Sequence, residues 1–323
     1  MKIESNNIVR HLGNIDLLLV ASGFEDRSKT LSFKLDKSFI KNSIIFHLND
    51  NYISASNNKK EIISKLEIKD IIEYSKNDSF ETYNLFYVQI KEKLKSIFIS
   101  SKLSVVIDMT AFSRETLLIL IKVLTNDQFY GQLEIKFIHT PVENYSKDEN
   151  LWLTKGVREI RPVFGYSGLM MPSKKLLLIV LNGFEDERTE IIIESFEPFA
   201  LVLANPSLSG SINEVLKKLV DNKYDKIKSK FKNLLIDEKE FSCKEINNTI
   251  DVLESIYSKY QDHYNIAVSP LNNKASTLAV AISALKHENI QVCYASANQY
   301  NIAKQLTPSD YFLFYNLSDY LEI

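Results

Sequence analysis

The sequence predicts an α/β protein made of two tandem parallel-sheet halves related by internal duplication. Three observations predict it. Leu17–Asp26 reads LLLVASGFED, and 160 residues further on Leu177–Asp186 reads LLIVLNGFED. Val105–Leu124 (VVIDMTAFSRETLLILIKVL) has a gapless counterpart 161 residues on, Ile266–Leu285 (IAVSPLNNKASTLAVAISAL). Two matches at nearly one offset mark a repeat rather than a coincidence. Finally, short apolar runs without a helical period alternate with longer helical stretches, the pattern of strands buried on both faces.

The elements follow in the same order in each copy. A buried strand, Leu17–Ala21 or Leu176–Leu181, runs into Gly23 or Gly183, which turns the chain into an acidic helix start. A second strand follows at Ser43–Leu48 or Ala200–Ala204, then a long polar, helix-rich stretch. A third apolar strand, Val105–Ile107 or Ile266–Val268, leads through a loop into an apolar helix. A last strand, Glu134–His139 or Gln291–Ala295, closes the copy. Strands alternating with helices in this way build a Rossmann-like sheet with helices on both faces. The boundaries read as a first half over 13–150, a linker over 151–172 and a second half over 173–323. The linker assignment rests on Gly156, Pro162, Gly165, Gly168 and Pro172 falling together.

Composition bounds the function. Of 323 residues, 45% are hydrophobic and 25% charged, the balance of a globular protein rather than a disordered or fibrous one. No apolar run approaches the ~20 residues of a membrane span, and Met1–Arg10 lacks the apolar core of a secretory signal. A cytoplasmic location and no membrane partner are expected. Cys243 and Cys293 are too few for a disulfide framework or a four-ligand zinc site. A net charge of −2 argues against a long nucleic acid as partner but leaves a small anionic ligand open. Neither a metal nor a cofactor is expected, since the five histidines are scattered and none pairs with Cys or Glu at ligand spacing.

Candidate site residues cluster where both repeated motifs meet the carboxyl ends of the strands, the edge at which such sheets bind ligands. In the first motif, Gly23, Glu25 and Arg27 match Gly183, Glu185 and Arg188. A single glycine is not the dinucleotide fingerprint. The acidic pair suits the positive end of a helix. Alternatively, Glu25 and Glu185 accept hydrogen bonds from ribose or a base, with Arg27 and Arg188 reaching phosphate. In the second motif, Asp108 or Thr110 can cap the following helix, whereas Arg114 in a first turn opposes the helix dipole. Thr110, Ser113, Arg114 and backbone N–H groups together make an anion-binding corner. The matching loop offers Ser269, Asn272, Asn273 and Lys274, and asparagine amides can read adenine edges. The gapless alignment sets Lys274 against Ser113 rather than Arg114.

Asp108, Thr110 and Arg114 resemble the pattern of the CRISPR-associated Rossmann-fold (CARF) sensors: Asp or Asn, one residue, Ser or Thr, three residues, then Lys or Arg, after a core strand. The duplication resembles the related SAVED domains, which fuse two CARF-like units in one chain. The resemblance implies a sensor of a small nucleotide, such as a cyclic oligonucleotide messenger, held in the cleft between the halves. It also implies a place in prokaryotic antiviral defence and an effector protein encoded nearby as output. The ligand would be bound only, or also cleaved without metal in the manner of a ring nuclease. Two other classes stay open: a nucleotide or nucleoside hydrolase using Glu25 or Glu185, and a non-catalytic scaffold of a defence complex.

Overall fold

The computed structural model describes the chain except residues 51, 76, 98–100, 144–147, 149–153, 212–213, 302–305 and 322–323, and the side chains of 214–216. It divides into two compact units, Met1–Tyr145 with Ile302–Ile323, and Ser146–Asn301.

Unit 1 holds β1 (Lys2–Glu4), α1 (Ile8–Leu12), β2 (Ile15–Ser22), α2 (Thr30–Lys34), β3 (Ile40–Leu48) and α3 (Ile53–Leu66). It continues with β4 (Asp70–Tyr74), α4 (Ser79–Ile97), β5 (Leu103–Asp108), α5 (Arg114–Leu124) and β6 (Leu133–His139). Unit 2 holds β7 (Thr154–Pro162), β8 (Lys175–Leu181), α6 (Asp186–Phe196), β9 (Ala200–Pro206) and α7 (Glu214–Lys230). It continues with β10 (Leu235–Phe241), α8 (Ile246–Tyr260), β11 (Tyr264–Pro270), α9 (Lys274–Lys286) and β12 (Ile290–Tyr300). A last strand, β13 (Tyr311–Asn316), returns to unit 1.

The sheet of unit 1 runs β1-β13-β6-β5-β2-β3-β4, with β6 to β4 mutually parallel. That of unit 2 runs β10-β9-β8-β11-β12-β7, parallel except for β7. Each unit thus repeats one Rossmann-like order. Its first parallel strand, β2 or β8, sits centrally, two strands are added on one side, and the chain then crosses to the other. The reversal falls between β2 and β5, and between β8 and β11, where such sheets bind ligands. The central strands are apolar on both faces because helices cover both: Leu17 to Val20 and Leu177 to Leu181 are essentially inaccessible.

Three expectations change. Of the linker over 151–172, 154–162 is strand β7, antiparallel to β12; residues 151–153 lie outside the described residues. An edge strand of mostly half-exposed residues carries no apolar alternation, so its Gly and Pro dominated the reading. The second half does not extend to 323, because β13 pairs antiparallel with β6 and β1 of unit 1. Finally, the polar stretch of each copy contains an edge strand, β4 or β10, whose exposed alternate residues hid it. Among the described residues, no helix is long and apolar enough to cross a membrane.

Candidate functional site

Each unit builds its site from the loop after its first parallel strand and the loop after its fourth. The Gly-Phe-Glu-Asp turn follows β2 and β8. The fourth-strand loops, after β5 and β11, lie directly against these turns. A Cβ on Gly183 would stand 2.3 Å from the Leu271 carbonyl oxygen, closer than any real contact. A Cβ on Gly23 would stand 3.0 Å from Ala111 Cβ. The glycines are there to let two loops touch, and the crevice at the strand reversal is narrowed at that point.

The repeated acid and arginine hold each other. Arg27 donates from Nε to Glu25 Oε1 (2.9 Å) and from Nη2 to Oε2 (3.0 Å), a two-bond fork. Its third nitrogen, Nη1, donates to the Thr140 carbonyl after β6 (3.1 Å). Arg188 Nη2 lies 2.7 Å from Glu185 Oε2, and the Thr154 hydroxyl donates to Glu185 Oε1. Arg27 and Arg188 are buried, at 8% and 2% exposure. Each oxygen of Glu25 accepts from Arg27, so the pair engages itself and shapes the loop.

In the fourth-strand loop of unit 1, Asp108 and Thr110 are buried and used internally. Asp108 Oδ1 accepts from the Thr110 N–H (3.0 Å), and Thr110 Oγ1 accepts from the Thr140 N–H (2.9 Å). The helix is capped by neither: Ser113 is the N-cap, its hydroxyl accepting from the Thr116 N–H (3.1 Å). Arg114 is then the first residue of α5, half-exposed.

Unit 2 answers with a different loop. Ser269 is fully buried, beside the Cys293 thiol. Asn272 Nδ2 donates to the Asn182 carbonyl (2.7 Å), and its Oδ1 accepts from the Cys243 thiol (3.1 Å). Asn273 caps α9 in a full capping box with Ser276, and its Nδ2 donates to the Cys243 carbonyl (2.6 Å). Both amides therefore fix the backbone and are not presented to a base edge. Lys274 is the first residue of α9, half-exposed.

The caps correct the alignment of the two loops. Strand pairing keeps the offset at 161, since Leu17 pairs with Val105 and Leu177 with Ile266. The N-caps, Ser113 and Asn273, stand 160 apart. The second loop is one residue shorter, and Lys274 occupies the place of Arg114, not of Ser113.

Several residues at these edges were not singled out from the sequence. In unit 1, Ser22 Oγ and His47 Nδ1 are 2.8 Å apart at the ends of paired strands. Burial, with Lys59 adding to it, holds the His47 pKa below the usual histidine value. Asn58 of α3 donates to the carbonyls of Gly23 (2.9 Å) and Glu25 (3.2 Å). At the same crossing in unit 2, Asn182 receives the Thr189 hydroxyl (3.1 Å) and faces Asn205, which donates to Asp221 (2.7 Å). Lys217 pairs with that Asp221. No local motif marks these residues, because their partners come from other strands and helices. Phe184, Lys217, Cys243 and Asn272 line a small pocket here, with free space of about one water molecule. Burial pushes the Cys243 thiol up to about 12, so it is protonated at neutral pH and is no nucleophile. Among the described residues, no three His, Cys, Asp or Glu side chains converge as a metal site would.

No family model and no curated protein matches the chain. Among solved structures, it is similar to one described as the adenylation, ketoreductase and pseudo Asub multidomain structure of a keto acid-selecting NRPS module, at 8% identity and a TM-score of 0.22. That likeness covers 80% of this chain and 26% of the other, so the chain spans about a quarter of its length.

Proposed function

We propose that the protein binds a small nucleotide, of the cyclic oligonucleotide messenger type, at the carboxyl edges of its parallel strands. The observation that carries this is the matched pair of cations. Arg114 and Lys274 each occupy the first position of the helix after the fourth strand, half-exposed, behind an N-cap of different chemistry. A helix start supplies N–H donors and a positive dipole end. A cation added there is unfavourable for the helix alone and favourable once an anion is bound. The likeness of Asp108, Thr110 and Arg114 to the CARF pattern supports a role in prokaryotic antiviral signalling, with a partner protein as the output.

The test is calorimetric titration of wild type, Arg114→Ala and Lys274→Ala with cyclic tri- and tetra-adenylate and with mononucleotides. Charge-assisted hydrogen bonds of about 1.5–3 kcal/mol each set the expected loss at about tenfold to a hundredfold per cation. The melting temperature should stay unchanged. Absence of binding to every nucleotide, or binding indifferent to both substitutions, would sink this reading.

A further inference from the structure

The sequence repeat preserves one residue that neither the ion pairs nor the caps use: the phenylalanine of Gly-Phe-Glu-Asp. Phe24 and Phe184 sit at the same position in the two units, and both are half-exposed. Whereas the turn itself is open, with Glu25 and Glu185 half-exposed beside the rings, the four apolar positions before the turn are buried in β2 and in β8. A phenylalanine that only filled the core would be buried with them.

The backbone on either side of each ring is pinned. In unit 1, Asn58 Nδ2 donates to Gly23 O and Glu25 O, the carbonyls of the preceding residue and of the residue after Phe24. Gly23 abuts Ala111, and Glu25 is forked by Arg27. In unit 2, Gly183 is pressed against the Leu271 carbonyl, and Glu185 is paired with Arg188. A ring on a fixed backbone loses little entropy when it is covered. Phe24 also meets the half-exposed Tyr52 edge to face, with ring centres 5.8 Å apart, so unit 1 presents two aromatic surfaces together. Phe184 walls the small pocket shared by Lys217 and Asn272.

The glycine contacts set the turn that carries each ring against the loop that leads to the cation. Gly23 touches Ala111, three residues before Arg114, and Gly183 touches Leu271, three residues before Lys274. Meanwhile the amides that would read a base edge, Asn272 and Asn273, are committed to backbone groups and the Cys243 thiol. A base here can be held by its face but not read at its edge by these side chains.

We infer that Phe24, with Tyr52, and Phe184 are the base-stacking residues of the two units, and that they bind a nucleobase with little discrimination among bases. The inference rests on the nucleotide reading above. Stacking of one base is sequence-tolerant because every base has a π-face.

The experiment titrates wild type, Phe24→Leu and Phe184→Leu with cyclic tetra-adenylate, with AMP, GMP, CMP and UMP, and with ribose 5-phosphate, which has no base. Each leucine variant should bind the base-bearing ligands about tenfold more weakly, as the loss of one stacked base requires. Ribose 5-phosphate should bind all three proteins alike, and the four mononucleotides should differ by less than about tenfold on wild type. If a leucine variant melts early, Phe24→Trp and Phe184→Trp decide: a wider ring should tighten the base-bearing ligands only. Leucine variants that bind nucleotides like wild type, while Arg114→Ala and Lys274→Ala weaken them, overturn the stacking assignment alone. An equal loss for ribose 5-phosphate overturns it too, because the rings would then be structural. Wild type that binds none of these ligands overturns both the stacking assignment and the nucleotide reading.

Discussion

The two units carry the same turn and hold it by different means. In unit 1 the loop is fastened by side chains from distant elements: Arg27 reaches the Thr140 carbonyl after β6, and Asn58 of α3 clasps the carbonyls of Gly23 and Glu25. In unit 2 the loop is fastened mainly by the loop after β11, where the Leu271 carbonyl presses on Gly183 and the Asn272 side chain donates to the Asn182 carbonyl, with the Thr154 hydroxyl of β7 donating to Glu185. The same four residues have been kept while the supports were exchanged. What survives the exchange is the placement of a half-exposed ring and, one loop away, a half-exposed cation. The difference teaches that the acid–arginine pairs and the glycines serve the geometry of the edge.

The largest effect should separate the two arginines. Arg27 makes three hydrogen bonds, one of them to the end of another strand. Removing one partner of a buried, satisfied pair costs about 3 kcal/mol or more. Arg188 is more deeply buried but poorly satisfied. Its Nε has no hydrogen-bond partner among the described residues, and Nη2 is close to Glu185 without hydrogen-bond alignment. Removing it strands the Glu185 carboxylate, but that side chain is 19% exposed and keeps the Thr154 hydroxyl, so water and Thr154 relieve part of the cost. In urea denaturation, Arg27→Met should lose more than Arg188→Met, both losses lying within about 3–5 kcal/mol. Equal losses would mean that the two turns are held alike.

The glycines should rank the other way. At Gly183 a methyl group would meet a carbonyl oxygen at 2.3 Å, and backbone cannot step aside. At Gly23 it would meet the Ala111 methyl at 3.0 Å, a contact that a few tenths of an ångström relieve. Neither glycine has a positive φ, so the effect is steric. Gly183→Ala should cost about 2–3 kcal/mol, at the upper end for overpacking, and Gly23→Ala about 1 kcal/mol. The same denaturation curves check it, and a reversed order would break the distinction between the carbonyl contact at Gly183 and the methyl contact at Gly23.

The sequence carried the two-unit α/β architecture because its signals are local and strong. Central strands such as Leu17–Val20 are apolar on both faces, and the repeated turn sits beside them. Edge strands were not legible. Half of each of β4, β7 and β10 faces solvent, and Pro162 and Gly156 resemble linker punctuation as much as strand ends. The return of β13 to unit 1 is a long-range pairing that no local pattern encodes. Of the site, the cations Arg114 and Lys274 were legible, whereas the caps that start their helices, Ser113 and Asn273, were not. The equivalence of Arg114 and Lys274 was not, because a gapless alignment follows the strand and misses one residue removed from the loop. Asn58, Thr140 and Asn205 stayed hidden because their roles depend on where other chain segments arrive.

The smallest effect should be a difference in response to acid. Ser22 and His47 face each other at the ends of β2 and β3, and Asn182 faces Asn205 at the same crossing of β8 and β9. Only the first crossing titrates. The His47 pKa is lowered, chiefly by burial and further by Lys59, with Glu73 opposing. The unfolded chain therefore binds a proton on this residue at pH values where the folded chain does not. The resulting stability is fully present above the ordinary histidine value of 6.5 and is lost as pH falls from there through the folded-state pKa. His11, also in unit 1, is lowered chiefly by burial, with Lys136 and the N-terminus adding to it, and acts in the same direction. The melting temperature should decline as pH is taken from 7.5 to 5, and His47→Asn, which copies the solution of unit 2, should flatten part of that decline. His11→Asn should flatten a further part. An unchanged slope in His47→Asn would show that the Ser22–His47 contact does not distinguish the two crossings in acid, and that other titrating groups carry the response.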